Sequence, residues 1–221
     1  MKKTSTILAA LVMGVASANA GVAPAPTGKG VAMPPPMDPC AGPISYNNVE
    51  LLYAYTDFDG YGDSADGGVL RAEYSPMANV YFTASVGYDD WSSGNMWRLS
   101  AGVGGYVPLT ENIHLAADAG VIYADSEQDY YTQTGTGTSV VYTKHTRSDS
   151  DTGWYIRPHL RAKFGCLTIH AGAEYQDVSD SEDWTWFANA YYQVAQNWDL
   201  TVGYSDSDNA ERVTAGVRYR Y

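Results

Sequence analysis

The chain has 221 residues, 25 Asp plus Glu against 13 Lys plus Arg, and a formal net charge of −12. An acidic chain without a basic run repels phosphate instead of releasing counterions from it, which argues against a nucleic-acid partner. Its 2 Cys exclude a disulfide-dense mini-scaffold and a four-Cys zinc site, and past residue 20 no apolar run is long enough for a transmembrane helix.

The first twenty residues read as an export signal. Lys2 and Lys3 form a short basic start, 7–15 is apolar, and Ala18 and Ala20 place small residues where a signal peptidase reads, so cleavage is expected after Ala20. No Cys follows that site, which argues against a lipid-modified N-terminus. Export into an oxidising compartment makes Cys40 and Cys166 candidates for one disulfide. Residues 21–43 hold seven of the ten prolines, including Pro34, Pro35 and Pro36, and show no apolar period. They read as an extended periplasmic segment, a linker or plug ahead of a domain covering 44–221.

From Tyr46 onward the period is two. Val49, Leu51, Tyr53 and Tyr55 share one parity, and Asn48, Glu50, Leu52, Ala54 and Thr56 the other. The same alternation returns at 70–74, 80–88, 97–103, 113–123, 154–164, 167–175, 184–194, 198–204 and 213–221, which predicts ten strands. Connections near Pro76, Pro108, Gly165 and Asn197 are short, and those between them are longer and rich in Asp, Ser and Gly. In a meander of hairpins such a rhythm trims one rim and loads the other.

The charges decide what surrounds the sheet. Arg71, Arg98, Arg157, Arg161, Lys163, Arg212, Arg218 and Arg220 fall on the polar parity, together with Glu50, Glu73, Asp118, Glu174, His114, His159 and His170. The middle of the apolar parity carries no charge in any segment. A mid-bilayer Arg or Lys costs roughly 2–4 kcal/mol, so the uncharged parity is expected to face lipid and the charged parity an enclosed lumen. Amides in hydrocarbon need internal partners, so such a sheet must close. Aromatics near the strand ends, among them Tyr53, Trp97, Trp154, Trp184, Trp198 and Tyr219, suit girdles at the two interfaces. The expected fold is an all-β, closed, antiparallel up-and-down transmembrane barrel of ten strands, with eight as the alternative.

The export signal, the alternation, the short-turn and long-loop rhythm and the terminal run 213–221 together resemble the small Gram-negative outer-membrane barrels of the OmpA-like and OmpX-like group, over about residues 44–221. The resemblance implies that Val217, Tyr219 and the terminal Tyr221 serve as a signal read by the barrel-assembly machinery. It further implies outer-membrane lipid as solvent and periplasmic chain ends.

Of the 25 acids, 18 fall in the five longer connections, opposed there by Lys144 and Arg147, so the loaded rim is expected to be anionic and to favour cations. The oxygens of Asp57 to Gly60 and of Ser205 to Asn209 lack the distal Glu of a calcium loop, and no metal or cofactor site is assigned. The segment 125–153 holds β-formers on both sides of a Gly-rich turn, which predicts a hairpin above the membrane and a candidate surface for a partner. His145 near Asp149 and Asp151 is the one hydrolase-like juxtaposition, and no catalytic set is assigned. The expected function is a structural or surface-interaction barrel with a side-chain-filled lumen; a narrow channel and a rim hydrolase are the alternatives.

Overall fold

The computed structural model describes residues 40, 42–58, 64–134, 141–178 and 181–221. The predicted signal peptide, and the Pro-rich segment apart from Cys40, Gly42 and Pro43, lie outside the described residues. Ten strands follow in chain order: β1 (Asn48–Phe58), β2 (Ser64–Met77), β3 (Val80–Trp91), β4 (Gly94–Thr110), β5 (Ile113–Thr134), β6 (Val141–Phe164), β7 (Leu167–Val178), β8 (Ser181–Ala195), β9 (Trp198–Ser207) and β10 (Ala210–Arg220). Each pairs antiparallel with its chain neighbours, and β1 pairs with both β2 and β10, so the sheet closes into a barrel of ten strands, not eight.

Parity decides which way each side chain points. Along β1 burial alternates residue by residue, with Leu51 61% exposed beside Glu50 at 2%. The outward face carries Leu70, Leu99, Val121, Leu200 and Val202, and large aromatics stand exposed towards both ends, such as Trp97 and Tyr123 at one and Trp198 and Tyr219 at the other. Closure leaves no strand edge within this apolar band, as a hydrocarbon solvent requires.

Four two-residue turns form one rim: Ala78 with Asn79, Glu111 with Asn112, Gly165 with Cys166, and Gln196 with Asn197. Asn79 and Gly165 adopt φ of 67° and 59°, the left-handed conformation that reverses a chain in so few residues. Two of these turns lie beyond their expected positions. β2 runs on through Pro76 to Met77 and β4 through Pro108 to Thr110, each with a register irregularity at its proline, because proline has no N–H to give the ladder. Pro158 interrupts the β6–β7 ladder between Ile156 and His159 without shifting its register.

The loaded rim differs from its expected form. Much of the chain between the apolar segments is strand: β5 and β6 run for 22 and 24 residues, and β3 joins β4 through Ser92 and Ser93 alone. Beyond the membrane neither face of a strand needs to be apolar, so these extensions lack the alternation that marks the spanning segments. Asp59, Asp63, Asp180 and the Gly-rich turn of the long hairpin lie outside the described residues.

Candidate functional site

The lumen is the chemically distinctive part of the barrel. Glu73 on β2 accepts from two nitrogens of Arg161 on β6, at 2.7 and 2.9 Å, and Asn48 Nδ2 donates to the same carboxylate at 2.9 Å. Arg161 Nε donates to His159 Nε2 at 3.0 Å. Asp118 accepts from Arg157 at 2.8 Å and from the Tyr81 hydroxyl at 2.9 Å, and Arg157 reaches on to Glu174 at 3.4 Å. Closer to the trimmed rim Asp199 pairs with Arg218 at 2.6 Å and Arg220 at 3.2 Å, and the Arg218 guanidinium lies 3.7 Å from the Tyr191 ring centroid. Buried charges persist only when paired and hydrogen-bonded; Asp118–Arg157, Arg157–Glu174 and Asp199–Arg218 join neighbouring strands, whereas Glu73–Arg161 spans the barrel from β2 to β6.

The chain entering β1 closes this end. Ile44 and Tyr46 are buried; the Tyr46 ring stacks on Tyr106 at 4.1 Å and beneath the Arg161 guanidinium at 4.1 Å, with His114 stacked beyond. Lys163 Nζ donates to Gly42 O at 2.7 Å, and a disulfide joins Cys40 to Cys166 in the β6–β7 turn. Gly104 makes room for this layer: a Cβ there would stand 2.4 Å from Cζ of Tyr81.

Above the layer lies a cavity of about 190 Å³. Arg71, Arg98, Arg157 and Arg212 line it with Glu73, Asp89 and Glu174. Arg212 donates to both oxygens of Asp89 at 3.0 Å. Arg71 stands 3.6 Å from Glu50, too long for a hydrogen bond. His170 packs against the Tyr191 ring at 4.5 Å.

The structure thus gathers the fifteen charged or histidine side chains singled out from sequence into one interior, and adds Asp89 and Asp199. Parity marks both: Asp89 continues Thr83, Ser85 and Gly87, and Asp199 precedes Thr201. Counting Asp89 among the loop acids hid it. Tyr46 carries no such mark, because its place depends on the tertiary fit.

The acids of the loaded rim require a correction. Asp57 faces Glu211, Glu211 faces Asp206, Asp66 faces Asp90 and Asp177 faces Glu182 in the strand register, all on the outward parity. These form an anionic collar around the barrel's outside, whereas Asp89, Asp149, Asp151 and Asp183 take the lumen parity. Val217, Tyr219 and Tyr221 also stand outward, and the Tyr221 hydroxyl donates to Glu73 O at 3.2 Å. His145 stacks on Tyr130 at 5.2 Å with its Nε2 2.9 Å from Thr132 Oγ1.

A closed ring of strands, apolar outside and ion-paired inside, is a transmembrane β-barrel. No family model and no curated protein matches the chain. Among solved structures it is similar to the KdgM porin, at 14% identity and a TM-score of 0.43, over 78% of this chain and 99% of that one. It is also similar to Neisserial surface protein A, at 10% identity and a TM-score of 0.40, over 79% and 95% of the two chains. A third is Ail, the attachment invasion locus protein of Yersinia pestis, at 13% and 0.38, over 79% and 95%. Identities this low assign no activity.

Proposed function

We propose that this is an integral barrel of a Gram-negative outer membrane, with its two-residue-turn rim in the periplasm, acting at the cell surface as a structural and interaction protein and not as an enzyme. Outer-leaflet lipid is its solvent, and the barrel-assembly machinery reads Val217, Tyr219 and Tyr221. The observation that carries the reading is the β5–β6 hairpin. Pairing of β6 with β7 begins only at Gly153, so among the described residues β6 has one free edge from Val141 to Thr152. Tyr130, Tyr131 and Tyr142 stand exposed on the same projection. A free edge offers unpaired N–H and C=O groups to an extended peptide, and exposed tyrosines supply contact area at little entropic cost.

Intact-cell proteolysis tests the orientation: cleavage confined to the hairpin and the outer turns supports it, and cleavage at Asn79, Asn112 or Asn197 overturns it. Replacing 129–146 by a tight turn should leave barrel folding intact and abolish capture of extended peptides at the cell surface.

A narrow channel is the second reading, favoured by the cavity above Tyr46. Large, stable openings in planar bilayers would favour it; the packed layer of Glu73, Arg161, Tyr46 and Tyr81 supports silence.

A further inference from the structure

We infer that the upper lumen is a binding site for a small oxyanion, a solute bearing a carboxylate or a phosphate group. Three observations converge on it.

The first is an unmatched charge. Four guanidiniums and three carboxylates line the cavity, and the pairs are unequal in quality. Arg157 and Arg212 are held by short hydrogen bonds, whereas Arg71 has only its 3.6 Å approach to Glu50. Arg98 makes no hydrogen bond or ion pair among the described residues. The fields of Asp89, Glu174 and Asp183 reach Arg98, but Asp89 already accepts from Arg212 through both oxygens, Glu174 faces Arg157, and Asp183 makes no ion pair with it. A guanidinium in an enclosed space, with five donors and no acceptor, is costly unless a counter-charge joins it.

The second is space with suitable walls. Along the register Arg71 faces Ser85, Ser85 faces Ser100, and Arg98 stands two residues beyond Ser100 opposite Gly87. Gly87 places no side chain between the two arginines, and a Cβ there would meet Val69 Cγ2 at 3.7 Å and Gly68 O at 3.9 Å, both ordinary contacts. The Ser85 and Ser100 hydroxyls hydrogen-bond to each other at 2.7 Å, which leaves one O–H of the pair free to donate into the cavity. Guanidinium forks with one free hydroxyl between them match the oxygens of a carboxylate or phosphate.

The third is access. The collar carboxylates lie on the barrel's outer face, and of the two rim acids at the upper lumen, Asp89 and Asp183, the first is already paired with Arg212. Below, the Glu73–Arg161–Tyr46 layer makes the site blind-ended, so a solute enters and leaves from the outer side. The volume of about 190 Å³ limits it to a few heavy atoms beyond the anionic group.

Inorganic phosphate and succinate, titrated calorimetrically into the full mature barrel in lipid vesicles, test the site. Saturable binding of either probe is expected, weakened at least tenfold by Arg98→Gln and abolished by adding Arg71→Gln, with the exposed Arg147→Gln unchanged. Which probe binds distinguishes carboxylate from phosphate. As a readout that needs no variant, the bound probe should protect Arg98 and Arg71, but not Arg147, from phenylglyoxal modification mapped by mass spectrometry. Absence of saturable binding to both probes, equal binding by the double variant, or no selective protection would overturn the inference.

Discussion

Arg161 on β6 and Glu73 on β2 face one another across the lumen in a two-point hydrogen bond, with Tyr46 stacked against the same guanidinium. Three strands separate β2 from β6 on one side of the ring and five on the other, so the pair braces opposite walls. Removing one partner leaves an uncompensated buried charge. Glu73→Ala is expected to cost about 3–5 kcal/mol, read as a lowered urea midpoint for the vesicle-reconstituted barrel. Replacing both residues by apolar ones of similar volume should recover most of the loss.

Gly104 is where a lumen aromatic meets bare backbone. Gly104→Ala drives a methyl into the Tyr81 ring and is expected to cost about 1–3 kcal/mol. Gly68→Ala, whose Cβ would meet Leu52 O at an ordinary 3.7 Å, is the control and should be close to neutral in the same unfolding assay.

The division of each spanning strand into a lipid face and a lumen face was legible in the sequence, because a bilayer forbids charge on one parity and a closed lumen needs it satisfied on the other. Glu50 beside Leu51 states that rule within one dipeptide. Strand ends were not legible: at Asp125 to Thr134 both faces meet water and alternation has no physical cause. Which lumen acid meets which arginine was equally hidden, since Glu73 and Arg161 are 88 residues apart and only barrel closure brings them together.

The covalent link between Cys40 and Cys166 joins residues 126 apart and ties the chain before β1 to the trimmed rim. Non-reducing peptide mapping of the mature protein should recover the two cysteines in one linked peptide. Two free thiols in the folded barrel would contradict that tether.

On the projecting hairpin Lys144 Nζ lies 2.7 Å from Asp129 Oδ2. The hydrogen bond from Lys144 holds the Asp129 carboxyl below the ordinary carboxylate range, and the bond to Asp129 raises the Lys144 ammonium above its usual range. A depressed carboxyl contributes stability above its unfolded value that is lost as pH falls through its folded one; the raised ammonium's contribution is lost as pH rises through its folded one. Hairpin protection should therefore hold across neutral pH and weaken at both ends, modestly and less at high salt, because the pair is exposed. An NMR titration of the Asp129 carboxyl carbon should show a low midpoint that Lys144→Met moves upward.

The central claim is that the apolar parity touches acyl chains while the ionic parity is enclosed. Its most direct test places nitroxide labels at Leu200 and Val202, between Trp198 and Tyr204, and at Asp208 in the outer turn, in the vesicle-reconstituted barrel. The account predicts that the labels at 200 and 202 are relaxed by dissolved oxygen and shielded from a polar nickel complex, with the reverse at 208. Equal access of the nickel complex to all three would contradict it.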